Sequence, residues 1–159
     1  MVTPTLSICL DNLRSAYNVG SIFRTADAAG INQIYLTGIT PLPLNPKVQK
    51  TALGSEAAVP WAHHCRTEGC LTYLKTQLNY TLISLETDPQ ATSLFTYQFQ
   101  DPTCLIVGNE KDGLSSEILG LSDKVIAIPQ LGVKESLNVS VAASIAIYEW
   151  RRQQTKFTE

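Results

Sequence analysis

The chain has 159 residues, 44% of them hydrophobic and 16% charged, a balance that fits one soluble globular domain with its own core. A formal net charge of −2 argues against an indiscriminate nucleic-acid binder, whose affinity comes from neutralising many phosphates, while allowing a local basic patch. No apolar run reaches the roughly 18 residues needed to span a bilayer, which excludes a membrane-spanning protein.

Leu6 to Leu10 is a short apolar run followed by Asp11-Asn12, and reads as a first buried strand with its exit. The stretch N-V-G-S-I-F-R-T-A-D-A-A-G, Asn18 to Gly30, reads as a helix. Asn18 is its expected N-cap, Val19, Ile22, Phe23 and Ala26 recur at helical spacing, and Gly30 can close it in the left-handed conformation. Arg24 then falls in the second turn beside core-facing Phe23, with its guanidinium expected at the loop end. Gln33 to Leu36 gives a second strand. The proline-rich loop Pro41 to Pro46 leads to a short helix over Lys47 to Leu53, ended by Gly54. Val59 to Trp61 reads as a strand or packed loop with Trp61 in the core.

Glu68 to Leu78 reads as a helix with Leu71, Leu74 and Leu78 on one face, and Thr81 to Leu85 as a strand leaving through Glu86. Thr103 to Val107 is the most strand-like segment. It enters G-N-E-K-D-G-L, Gly108 to Leu114, where the Glu110 carboxylate is placed to hold an arginine by a bidentate bond; a helix begins near Ser115. Val125 to Ile128 is the last strand. A loop with Pro129 and Gly132 carries it to Ser136-Leu137-Asn138, where the last helix opens and runs to Arg152. A strand, a glycine loop and a helix start tend to meet a ligand, because the first N–H groups of a helix have no internal partner.

Strands that are apolar throughout, alternating with helices, imply an α/β fold: a mainly parallel sheet with helices on both faces. Ligands bind such sheets at the carboxyl ends of the strands, and Leu85-Glu86, Gly108 to Gly113 and Pro129 to Asn138 are the exits that qualify. No G-x-G-x-x-G follows the first strand and no G-x-x-x-x-G-K-[ST] occurs, which disfavours ordinary dinucleotide and P-loop sites. Cys9, Cys65, Cys70 and Cys104 are scattered without paired spacing, and no signal peptide precedes them. They read as reduced thiols of a cytoplasmic protein. His63, His64, Cys65 and Cys70 match no zinc pattern, so no metal is expected. Arg14, Arg24, Lys47, Lys50, Lys111 and Lys134 all lie in or beside loops.

Taken together and in order, N-V-G-S-I-F-R-T-A-D-A-A-G, L-I-V-G-N-E-K-D-G-L and I-P-Q-L-G-V-K-E-S-L-N-V-S-V-A resemble the three motifs of the SpoU (TrmH-type) RNA ribose 2′-O-methyltransferases of the SPOUT superfamily. The likeness covers nearly the whole chain, with one departure: Gln130 stands where the family often has methionine, in the wall of the cofactor pocket. The resemblance implies a single domain over residues 1–159 without an appended RNA-binding domain, its C-terminal segment tucked into a trefoil knot. It implies S-adenosylmethionine cradled by backbone around Leu85, Gly108, Ile128, Pro129 and Leu137, and a homodimer with the site at the subunit boundary. The last helix, apolar on more than one side, independently asks for cover on both faces.

Arg24 is the central catalytic residue that the resemblance implies. Guanidinium groups stay protonated in proteins, so Arg24 is expected to fix a phosphate and the 2′ oxygen while the proton leaves through phosphate or water. Glu110 would anchor the arginine network, and Asn18, Ser136 and Asn138 would orient ribose and loop. The expected partner is RNA, transfer RNA before ribosomal RNA, and not DNA or membrane. The alternative is a catalytically inactive or partner-dependent RNA- or cofactor-binding module; a base-methylating relative is disfavoured by the S-L-N motif.

Overall fold

Successive side chains of a strand point to opposite faces, and in this chain both faces are apolar. The computed structural model describes residues 5–155. In order come β1 (Leu6–Asp11), α1 (Ala16–Ala29), β2 (Gln33–Thr37), α2 (Pro46–Ala52), α3 (Ser55–Ala58), β3 (Trp61–His64), α4 (Thr67–Gln77), β4 (Thr81–Leu85), β5 (Thr92–Ser93), β6 (Thr103–Val107), α5 (Ser116–Leu121), β7 (Lys124–Ala127) and α6 (Val139–Gln154). The sheet runs β3-β2-β1-β6-β4-β7-β5, and each of its pairings is parallel.

Alternation along the strands sorts the core into two layers. Leu6, Ile8, Leu10, Ile34, Leu36, Leu105 and Val107 pack with residues of α1, α2 and α6, including the fully buried Phe23 and Trp150. Cys9, Tyr35, Cys104 and Ile106 pack on the other face with Leu71 and Leu74 of α4 and Ile118 of α5. Truncating a buried aromatic such as Phe23 to alanine costs about 3–5 kcal/mol, a large part of the net stability of a domain.

Several local expectations are corrected. Ser15, not Asn18, caps α1, its side chain accepting the Asn18 N–H; the helix therefore starts earlier and Arg24 stands in its third turn. Gly30 does close it, at φ 67°. The αL residue ending α2 is Leu53. Trp61 lies on the edge strand β3 and is 38% exposed rather than core, because an edge strand has a neighbour on one side only. Leu78 is the exposed C-cap residue of α4. The two-residue β5, too short to show any periodicity, pairs with the far side of β7.

The topology places the ligand crevice. Neighbouring strands β1 and β6 send their chains to opposite faces, β1 to α1 and β6 to α5. Their exits part, and the gap at the carboxyl edge is where an α/β sheet binds.

Candidate active site

A cavity of about 1000 Å³ opens at that edge, lined from α1, from the exits of β4, β6 and β7, and from the start of α6. It brings together Leu85, Gly108, Ile128, Gln130 and Leu137 with Asn18, Glu110, Ser136 and Asn138. Pro129 and Arg24, both also expected here, are not on its wall. Arg14 and Thr87 are, although sequence reasoning gave them no role in the site, and so is Glu86, named only as part of the β4 exit.

Glu110 organises the entrance, in a different way from the one expected. Its Oε2 accepts the Arg14 N–H at 2.8 Å, and its Oε1 accepts the Ser15 N–H at 3.0 Å and the Asn18 Nδ2–H at 3.1 Å. The carboxylate thus binds the backbone at the start of α1, where the helix dipole favours negative charge, instead of an arginine side chain. Partial burial pushes the Glu110 carboxyl up; hydrogen bonds from the N–H groups of Arg14, Ser15 and Glu110 itself, and from Asn18, outweigh this and hold it below the usual carboxylate value.

Asn18 is free for this contact because Ser15 took over the cap. Its Oδ1 accepts from Asn138 Nδ2 at 3.2 Å. Asn138 is the N-cap of α6, with Oδ1 accepting the N–H groups of Ser140 and Val141. A directed chain results, Asn138 donating to Asn18 and Asn18 to Glu110. It ties the last loop to the first helix and to the β6 exit.

The β6 exit is itself closely built. Asn109 Oδ1 accepts the N–H groups of Lys111 and Asp112, and its Nδ2 donates to the Asn12 carbonyl at 2.7 Å. A Cβ on Gly108 would stand 2.6 Å from the Gly113 carbonyl carbon and 2.7 Å from Leu114 N, so backbone alone forms that wall. Glu86 latches the far end: Oε2 accepts the Leu114 N–H at 2.9 Å and Oε1 the Thr87 N–H at 2.8 Å. Gln130 folds its amide back onto the Ile128 carbonyl at 3.0 Å.

Arg24 is exposed on α1 and, among the described residues, its side chain makes no hydrogen bond or ion pair. On the same helix face, seven residues earlier, is the exposed Tyr17. After Gln130 the loop is bare: Leu131 and Val133 are 97% and 98% exposed.

The model of the SpoU rRNA Methylase family matches residues 5–148. A tRNA (guanosine(18)-2′-O)-methyltransferase of Thermus thermophilus is 33% identical over 96% of this chain and 77% of its own length. An uncharacterized tRNA/rRNA methyltransferase of Synechocystis is 39% identical over 94% of this chain. The chain spans 54% of that relative and 65% of the Escherichia coli tRNA (guanosine(18)-2′-O)-methyltransferase. Among solved structures, the SpoU methyltransferase AviRb of Streptomyces viridochromogenes in complex with AdoMet superposes with a TM-score of 0.87 at 28% identity, covering 96% of this chain and 62% of that one. A structure described as giving insight into 2′-OH methylation of C/U34 on tRNA has a TM-score of 0.85 at 27% identity and is covered over 97% of its length. Profile, relatives and superposed structures agree with the three motifs: the chain belongs to the SpoU rRNA methylase family.

Proposed function

We propose that the chain methylates a ribose 2′-hydroxyl of RNA with S-adenosylmethionine as methyl donor. The observation that carries this is the single cavity in which Leu85, Gly108, Ile128 and Leu137 meet Asn18, Glu110, Ser136 and Asn138. The first set suits the donor: apolar side chains for a nucleobase, and a Gly108–Leu114 backbone too tightly packed to carry a Cβ. When bound, S-adenosylmethionine supplies an already activated methyl group on a sulfonium.

The chain's residues then have one task, to align the hydroxyl and let its proton leave. The amide chain from Asn138 through Asn18 to Glu110 fixes the polar wall in one orientation, and Ser136 adds a hydroxyl beside it. Alignment of this kind supplies about 7–11 kcal/mol of barrier reduction. Arg24 fixes a phosphate and the 2′ oxygen. Because it stands outside the cavity of its own chain, it acts across the boundary of a homodimer. The exposed Val141 and Tyr148 on α6 and the bare Leu131 and Val133 support that boundary. Family membership implies the trefoil-knotted threading of residues 128–138. Transfer RNA is the preferred substrate, supported by the structure of similar length that concerns tRNA.

The test is Arg24→Ala. Methyl transfer into RNA is expected to fall at least about a hundredfold while S-adenosylmethionine binding, measured by calorimetry, is unchanged. Undiminished transfer removes Arg24 from the mechanism.

A further inference from the structure

The Gly108–Gly113 loop is a ridge between two clefts, of which only one has cations on its wall. The main cavity lies on the α1 and α6 side, where Arg14 and Lys111 share the wall with Glu86, Glu110 and Asp112, and where the Glu86 and Glu110 carboxylates are engaged by backbone N–H groups. A second cleft of about 390 Å³ shares Asn109, Asp112 and Gly113 but lies on the α4 and α5 side, where Asp11, Glu68, Asp112 and Glu117 line it. A polyanion meets cations on the first side only and is repelled more strongly from the second.

Helix α2 extends the favourable side. It is fastened against the first turns of α1: Thr51 Oγ1 donates to the Tyr17 carbonyl at 2.8 Å, and a Cβ on Gly20 would lie 2.2 Å from the Val48 carbonyl oxygen. That contact adjoins Asn18 on the cavity wall. Val48 and Ala52 face inward, leaving Lys47 and Lys50 exposed. Among the described residues the side chains of Arg14, Lys47, Lys50 and Lys111 have no ion-pair partner. Of the paired cations, Arg66 and Lys75 flank and lie on α4, respectively, and Arg152 is at the far end of α6. Charge is thus left unneutralised where a phosphate backbone would have to pass to reach the cavity from the α1–α2 side.

We propose that RNA reaches the cavity over the α1–α2 side, its phosphates on Arg14, Lys47, Lys50 and Lys111, and does not cross the Gly108–Gly113 ridge towards α4 and α5. This rests on the reading of the chain as an RNA methyltransferase, and it adds the path and polarity of the bound strand.

The experiment measures binding of an equimolar pool of unmodified tRNA transcripts at several salt concentrations, for the wild type, Lys47→Ala/Lys50→Ala and Glu68→Gln/Glu117→Gln. All four positions are on the surface, and thermal unfolding checks that each variant is folded. The lysine variant is expected to bind at least about tenfold more weakly, and the slope of log affinity against log salt to shrink by about 1.4, the loss of two phosphate contacts on a single strand. Binding of S-adenosylhomocysteine should not change. The glutamate variant should bind within about twofold of wild type. Unchanged affinity and slope in the lysine variant, or tighter binding in the glutamate variant, overturns the path alone. A wild-type chain that binds S-adenosylhomocysteine but not the tRNA pool overturns the underlying reading with it.

Discussion

At the scale of single residues, the site is a chain of amides whose direction is dictated from both ends. Glu110 can only accept when ionised, so Asn18 must turn its Nδ2 towards it. Asn138 must turn its Oδ1 to the α6 N–H groups, which leaves its Nδ2 for Asn18. Asn138→Asp separates the two jobs of that residue. A carboxylate caps the helix as well as an amide does, yet it cannot donate to Asn18 and brings a second negative charge near Glu110. The variant is expected to unfold within a few degrees of wild type but to lose about a hundredfold in methyl transfer, as thermal scans and turnover with one RNA would show. Glu110→Gln addresses stability. Because the folded-state carboxyl lies below its ordinary value, its contribution is complete above that value and is lost as pH falls through the lower folded one. Urea titrations should give the variant about 1 kcal/mol less stability at neutral pH, a small figure for an exposed group. That gap should close on acidification. A constant gap would mean that the charge is not what matters. Asn18, Glu110 and Asn138 were expected together from the sequence and do line one cavity, but their partners were not legible. Asn18 looked like a helix cap because the alternative acceptor, Glu110, lies 92 residues away.

At the scale of elements, the fold was read from two patterns. Strands apolar on both sides announced a covered parallel sheet, and a sulfur- and leucine-rich layer on one face with a larger aliphatic layer on the other fulfilled it. The failures occur where tertiary neighbours decide. Trp61 has a core composition but an edge position. Ser15 precedes the periodic run of α1 by four residues and caps it nonetheless. Gly108 was expected at the donor's cradle, but the sequence could not show that its space is taken by the backbone of Gly113 and Leu114. Gly108→Ala must therefore displace that backbone, at a cost of about 2 kcal/mol typical of overpacking. The chain should remain folded by circular dichroism while its affinity for S-adenosylhomocysteine falls at least about tenfold, as expected when a wall shifts by about an ångström. Wild-type affinity would show that this wall is not the donor's.

At the scale of the whole molecule, the central fact is that a cavity built by one chain lacks the arginine expected to serve it. Arg24 was placed on the right helix by sequence, and one residue beyond the buried Phe23 it turns off the core onto the exposed face. We propose that a second chain brings it to the site. Val141→Asp with Tyr148→Asp on the exposed side of α6 should yield monomers in sedimentation velocity, still binding donor and inactive in transfer. Dimers persisting in that variant would move the boundary elsewhere. Among the described residues no helix is long and apolar enough to cross a membrane.

The most direct measurement incubates the purified chain with S-adenosylmethionine carrying a labelled methyl group and with total RNA from a strain lacking its gene, then digests the RNA to nucleosides for mass spectrometry. The account predicts label on a 2′-O-methyl nucleoside, derived from tRNA and absent with Arg24→Ala. Label on a base, or none in RNA from a chain that binds the donor, would contradict it.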